Sequence, residues 1–484
     1  MYSRERGQPS ATPDMSSASC PKDPAKQEAF KEFMGDVPRE NEPVDRFMEL
    51  ADGPSKESRS PASEQEGSSH MNASPPFGVE MKRGRCLPWL PLPSSCLLFS
   101  LLAMLTMFFS LLVLSSALLC KAELNLAEDY SFHISVFSDL HYGENESTFG
   151  IPADMNSAAL MRQVLSQEQP DFVVLNGDLI TGENTFAFNS TGYVDEIVAP
   201  LVQGDYSWAS TYGNHDSKYN LSREALYAEE KKYASAYTQH GPAGTDGVTN
   251  YVLPVFPLNS TGSSQTPVAF LWFFDSRGGS EYQSLPANVD NIDNYVSNGT
   301  VSWYRSAQAD LQSQYGTLPS LAFVHIPTLA FVDLQAQTNP KVSGPNYPGL
   351  NEDVPLAQQG YSNTGSEAIP FMQALLDTPG LHSIYSGHDH GDSWCGRWPN
   401  TTLPGYGVGG GSSQERPILC FCKHSGYGGY GVWNRGVRQI RMSFDQYGGM
   451  SVDTWVRMQA GIIVTAVSLN ETYGEDVYST ADGQ

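Results

Sequence analysis

Five short apolar runs in this chain each stop at a cluster of residues that can bind metal or transfer protons. Residues 132–137 lead into Ser138-Asp139-Leu140-His141, 172–175 into Asn176-Gly177-Asp178, and 206–212 into Gly213-Asn214-His215-Asp216. Further along, 321–324 lead into His325-Ile326-Pro327, and 382–385 into Ser386-Gly387-His388-Asp389-His390. The runs are rich in β-branched and aromatic residues, which suit a pleated, half-buried surface. Helix-like segments lie between and around them at 156–167, 223–237, 301–315 and 367–376. Alternating strands and helices argue for an α/β domain, and open α/β sheets bind ligands at the C-terminal ends of their strands. A later stretch, 419–457, has shorter β-like runs and a glycine-rich turn, Gly426-Tyr427-Gly428-Gly429-Tyr430-Gly431. It predicts a second set of mixed strands packed on the first.

The strand-end residues Asp139, His141, Asp178, Asn214, His215, His325, His388 and His390 hold five of the ten histidines in the chain. Carboxylate, imidazole and amide oxygen without thiolate suit Zn, Mn or Fe. Residues two apart on an extended strand face one side, so Asp139 with His141, and His388 with His390, can each aim at one site. With Asp178, Asn214 and His325 they make seven ligands, too many for one tetrahedral ion and enough for two ions sharing a carboxylate. Each motif alone is weak, since Gly-Asn-His-Asp also makes a hydrogen-bonded turn and a lone histidine is more often a satisfied structural residue. His133 and His382 sit inside apolar runs and read as structural. His424 either lines the pocket or belongs to a turn.

In this order, Asp-X-His, Gly-Asp, Gly-Asn-His-Asp, a lone His and Gly-His-X-His resemble the calcineurin-like metallophosphoesterase superfamily. The surrounding residues (138–144, 325–327, 387–391 and 424–431) are similar to a subgroup containing short purple-acid-phosphatase relatives of plants and a fungal cell-cycle regulator phosphatase. The resemblance implies a four-layer α/β/β/α sandwich, two mixed sheets flanked by helices, over residues 127–460. It implies one ion held by Asp139, His141, Asp178 and His390, and a second held by Asp178, Asn214, His325 and His388, with Asp178 bridging. His215 would face the phosphate as acid or transition-state stabiliser, and Asp216 would orient it. The implied reaction is phosphomonoester hydrolysis by a hydroxide held on two divalent ions. The same core also serves phosphodiester hydrolysis, or persists in an inactive binding protein, although the complete ligand set argues against the latter. Purple acid phosphatases carry a charge-transfer tyrosine three residues after the Gly-Asp aspartate. Thr181 stands there, so no purple colour is expected. The pattern gives Asp275 no ligand role. Arg277 and the tyrosines of the glycine-rich loop are candidate substrate contacts.

Before this region the chain changes character. Residues 1–80 are rich in Ser, Pro, Glu and Lys and read as a disordered, cytosolic tail. A basic, proline-containing segment at 81–96 precedes an uncharged apolar run at 97–119, longer than the ~20 residues a membrane helix needs. The basic cluster on its N-terminal side predicts a signal anchor with the large body lumenal or extracellular. If translation starts at Met81, the run becomes a signal peptide and the body is secreted. Seven Asn-X-Ser/Thr sequons follow, at Asn145, Asn189, Asn220, Asn259, Asn298, Asn400 and Asn470, and predict N-linked glycans. Three cysteines lie in the body. Cys395 with Cys420 is the preferred disulfide, with Cys422 as the open alternative. The first 95 residues carry 12 basic and 15 acidic side chains, the remainder 16 and 38. A body this acidic excludes ordinary nucleic-acid binding. Residues 461–484 are expected to form a C-terminal tail.

Overall fold

The computed structural model describes residues 123–479 apart from 187, 219–220, 259–264, 283–290, 338–339, 362–365 and 400–415. The expected cytosolic tail, the segment 81–96, the apolar run 97–119 and the sequons at Asn220, Asn259 and Asn400 lie outside the described residues. Among those residues, no helix is long and apolar enough to cross a membrane.

In chain order the elements are β1 (Leu124–Asn125), β2 (Ser131–Phe137), α1 (Gly150–Glu168), β3 (Phe172–Asn176), α2 (Ser190–Gln203), β4 (Trp208–Thr211) and α3 (Arg223–Glu230). They continue with β5 (Tyr251–Phe256), β6 (Ala269–Phe274), α4 (Asn298–Tyr315), β7 (Ser320–Val324), α5 (Leu329–Gln335), α6 (Ile369–Leu376) and β8 (Leu381–Ser386). The last strands are β9 (Cys395–Arg397), β10 (Ile418–Phe421), β11 (Gly436–Phe444), β12 (Met450–Met458) and β13 (Ile463–Ser468). One sheet runs β1-β5-β6-β7-β8-β10-β9 and the other β13-β12-β11-β2-β3-β4. Both are mixed, as expected.

The period of two along the strands builds the layers. Phe172 and Val174 face the other sheet, while Val173 and Leu175 pack with Leu160, Val164, Ile197 and Val198 of α1 and α2. On the other sheet Tyr251, Phe273, Phe323 and Tyr385 are cross-strand neighbours on β5 to β8. Their rings stack at 4.6, 5.2 and 5.5 Å and form a ladder across the sheet. Trp272 and Phe274 point the opposite way, onto Tyr304 of α4, and Phe274 also meets Phe371 of α6. Helices therefore cover the outer face of each sheet, and the four-layer sandwich is the observed fold. The aromatic ladder explains much of its inner packing, since ring pairs on one sheet face add to simple burial.

Several boundaries differ from the sequence reading. The helix expected at 223–237 ends at Glu230, and turns follow. Helix α2 was not expected, because Gly192 and Pro200 interrupt its pattern; Pro200 lies inside it and forfeits one backbone bond, while Tyr193, Val194, Ile197, Val198 and Leu201 bury its apolar face. The expected C-terminal tail is a correction. Residues Ile463–Ser468 pair with β12, and Leu469 and Tyr473 are buried in the main core. A pattern of mixed polar and β-branched residues hid this edge strand. Cys395 and Cys420 are joined and lie directly opposite each other on β9 and β10, while Cys422 is free and buried.

Candidate metal centre

The strands β2, β3, β4, β7 and β8 all point their C-terminal ends at one place, and the loops leaving them hold the candidate ligands. The backbone there is bent sharply. Asp139, His141, Asp178 and His388 have φ of 54°, 47°, 47° and 73°, in the left-handed region that costs non-glycine residues energy and clusters at functional sites. Pairing between loops holds the bends. Asp139 N donates to Gly177 O at 3.0 Å, His141 N to Asp178 O at 3.0 Å, and Tyr142 N to Leu179 O at 2.9 Å.

Two trios result. Asp139, His141 and His390 bring one ligand atom each to within 4.8 Å of one another, and so do Asp178, His325 and His388. Asp178 Oδ2 lies between the trios, 3.0 Å from His325 Nε2 and 3.8 Å from His141 Nε2. Its other oxygen accepts the His215 N–H at 2.7 Å. Asp139 likewise spends Oδ1 on the His388 N–H at 2.9 Å. Asp139 Oδ2, His141 Nε2, Asn214 Oδ1, His325 Nε2 and His388 Nε2 are buried without a hydrogen-bond partner. Buried polar atoms normally have one, so these converging, bare nitrogens and oxygens fit two cations. Six of the seven candidate ligands thus fall into the two trios, and the seventh, Asn214, has its side-chain oxygen buried and bare.

Neighbouring groups set the ring tautomers. His325 Nδ1 donates to Asn176 O at 2.8 Å and His390 Nδ1 to Tyr430 O at 2.8 Å. Thr181 gives its hydroxyl proton to Glu144 Oε1 at 3.1 Å, so it accepts from His141 Nδ1 at 3.1 Å. In each case Nε2 is left to face the centre, the usual way a protein orients a ligand histidine. Thr181, at the position of the purple-enzyme tyrosine, thus supports His141 from behind. Burial pushes His141, His388 and His390 down, His388 to about 3, which keeps those rings neutral with a free lone pair. Burial also opposes a proton on His325, but the Asp178 carboxylate outweighs it and lifts His325 to about 10. A proton and a metal ion compete for that nitrogen.

The glycine-rich loop packs against the candidate ligand His390. Tyr430 lies flat on His390 at 4.0 Å, and its hydroxyl accepts from the His390 N–H at 3.2 Å and reaches the Asp353 carboxylate. His424 stacks on His390 at 5.0 Å, with Nε2 donating to Trp433 O at 3.1 Å; it backs the candidate ligand histidine. Arg277 is engaged by the Tyr295 carbonyl at 2.9 Å and the Asp293 carboxylate at 3.7 Å. Asp275 accepts from Val248 N and sits 3.3 Å from Arg223 Nε.

Asp216 is the clearest correction. Its Oδ1 accepts from Leu179 N and Ile180 N at 2.9 and 3.0 Å, and its Oδ2 from Gly213 N at 2.8 Å. All three bonds go to backbone, so it clamps the loop after Asp178 and does not orient the His215 ring. Glu183 does that, with its carboxylate 2.8 to 2.9 Å from His215 Nδ1. Burial opposes the charged ring, but Asp178 and Glu183 together raise its pKa. His215 keeps 27% of its side chain exposed, whereas Asp139, His141, Asp178, Asn214, His325 and His390 are buried and His388 is half-buried. Nothing at sequence level singled out Glu183, which lies 32 residues from its partner.

A family model for calcineurin-like phosphoesterases matches residues 132–392, more than half of the chain and every strand-end motif. The chain belongs to the calcineurin-like phosphoesterase family. Phosphatase DCR2 of Saccharomyces cerevisiae is 28% identical to this phosphoesterase over 304 residues, covering 60% of it and 49% of the yeast protein. The phosphoesterase thus spans about half the length of that relative. A protein of Arabidopsis thaliana named probable inactive purple acid phosphatase 14 is 23% identical over 377 residues, covering 70% of this chain and 83% of its own. A solved dimetal phosphatase from Danio rerio aligns with a TM-score of 0.42 and 15% identity, covering 70% of this chain and 99% of its own.

Proposed function

We propose that this phosphoesterase hydrolyses phosphomonoesters with two divalent ions, and that its catalytic domain works beyond the cytosol. The observation that carries the reading is Asp178. One oxygen stands between the two ligand trios and the other fixes the backbone of His215. Asp139, His141, Asp178 and His390 would hold one ion; Asp178, Asn214, His325 and His388 would hold the other. When bound, such a pair lowers the pKa of a water and draws charge from phosphoryl oxygens. The chain's own groups do the rest. Glu183 holds His215 Nδ1, so Nε2 is the nitrogen that meets the substrate. From there His215 gives its proton to the leaving ester oxygen. Asp216 keeps the loop after Asp178 from shifting, and Asp139 keeps the His388 backbone close.

The donor set suits Zn, Mn or Fe. The Cys395–Cys420 disulfide supports an oxidising compartment, in line with an anchor at 97–119, a lumenal or extracellular domain and N-glycans on the sequons. The test compares Asn214→Ala with His215→Ala. His215→Ala keeps two metal equivalents and loses about 10²–10⁴-fold in p-nitrophenyl phosphate turnover, whereas Asn214→Ala loses metal. Equal metal loss in both variants refutes the division of roles. No turnover of mono- or diester by metal-loaded wild type refutes the enzyme, and faster diester turnover makes it a phosphodiesterase.

A further inference from the structure

The loop that carries Glu183 also carries a pair of rings largely exposed among the described residues. Phe186 and Phe188 stack on each other at 5.6 Å, 10° from parallel, yet are 52% and 85% exposed. Apolar surface of that kind marks something that covers it. The next residue is Asn189 of the sequon Asn189-Ser190-Thr191. A tight turn joins rings and sequon. Asn189 N and Ser190 N both donate to Phe186 O at 3.0 Å, and Phe186 N donates to Asn189 Oδ1 at 2.8 Å. Of the four described sequons, this one alone is flanked by an exposed stacked ring pair.

We propose that Asn189 is N-glycosylated and that its first sugar packs on the Phe186–Phe188 pair. The C–H face of a pyranose suits the negative face of an aromatic ring. The turn ties the amide oxygen to the backbone N–H of Phe186, three residues earlier. In the modification, Asn189 Nδ2 loses one proton to solvent and bonds the anomeric carbon of an oligosaccharide carried on a lipid diphosphate, which leaves. The second Nδ2 proton remains for Glu146 Oε1, which Asn189 Nδ2 reaches at 2.9 Å. Glu146 in turn accepts from Tyr193 OH at 2.6 Å, so the sugar-bearing residue is already braced. The glycan then steadies the loop whose Glu183 orients His215. This proposal rests on the secretory reading above.

The test uses the full chain made in a eukaryotic secretory host. Glycopeptide mass spectrometry reads occupancy at each sequon. Thr191→Ala removes the sequon while leaving the Asn189 hydrogen bonds, and is expected to lower the Tm by about 1–3 °C. In a Phe186→Ala, Phe188→Ala background the same change is expected to leave the Tm where it was. Trimming to a single sugar is expected to keep the full Tm, and complete removal to lose it. Equal Tm losses with and without the rings overturn the contact. An unoccupied Asn189 beside other occupied sequons overturns this proposal alone. If no sequon is occupied, the secretory reading falls with it.

Discussion

At the scale of single residues, Glu183 holds His215 Nδ1, and in the proposed reaction that pairing would set how the proton moves. The seven candidate ligands were legible because each ends an apolar run in a short motif, and the motifs occur in a fixed order; six of them meet in the two trios. Asp216 was misread for a physical reason. It is adjacent to His215 in sequence, but its carboxylate turns back to three backbone N–H groups, which are stronger partners than one ring nitrogen. Glu183 lies in a turn and is chosen only by the fold. Glu183→Gln keeps a hydrogen-bonding group and removes the charge. It is expected to lower kcat roughly 10-fold with metal content unchanged. The loss should be larger for alkyl phosphates than for p-nitrophenyl phosphate, whose leaving oxygen needs less protonation. A uniform loss across leaving groups would show that Glu183 acts on folding and not through His215.

At the scale of elements, the glycine-rich loop between β10 and β11 is a wall against two ligand histidines. A Cβ on Gly429 would lie 2.7 Å from His141 Cδ2 and 2.7 Å from His390 Cε1, at a φ of +74° that disfavours other residues. The loop's Gly429 N–H also donates to Glu144 Oε1 at 2.9 Å, closing the chain from Thr181 to His141. Gly429→Ala is therefore expected to displace one or both rings and cost one of the two metal equivalents. Metal analysis after gel filtration checks this, with full retention of both ions as the contrary result. Glycines at this spacing predict a turn from sequence, but not what the turn presses on.

Over the whole molecule, two sheets must stay in register for the strand ends to meet. Strand β13 seals one sheet and sends Leu469 and Tyr473 into the core, where Tyr473 OH donates to Cys395 O at 3.1 Å. Ending the chain after Gly461 removes several side chains worth ~1.5–3 kcal/mol each when buried and exposes β12 as an edge. The expected result is a Tm drop on the order of 10 °C or aggregation, read by calorimetry. His382 ties the same region to β8. Its Nε2 hydrogen-bonds to Leu469 O at 3.0 Å, and its Nδ1 lies 3.1 Å from Ser383 Oγ. Burial pushes it from the ordinary 6.5 down to about 4. The unfolded chain then binds a proton that the folded chain does not, so stability is full above pH 6.5 and falls on acidification toward pH 4. His382→Gln is expected to flatten that part of the Tm–pH curve, with an unchanged slope as the contrary result.

The sequence alone determined the α/β class, the candidate ligand set and the likeness to two-metal phosphoesterases, because those depend on residue type at strand ends and on local order along the chain. Only the tertiary structure decided which carboxylate serves His215, what the glycine-rich loop supports and where the C-terminal strand goes. Each of those depends on groups far apart in the chain meeting in three dimensions, and a side chain bonds to its neighbours in space, whatever its neighbours in sequence.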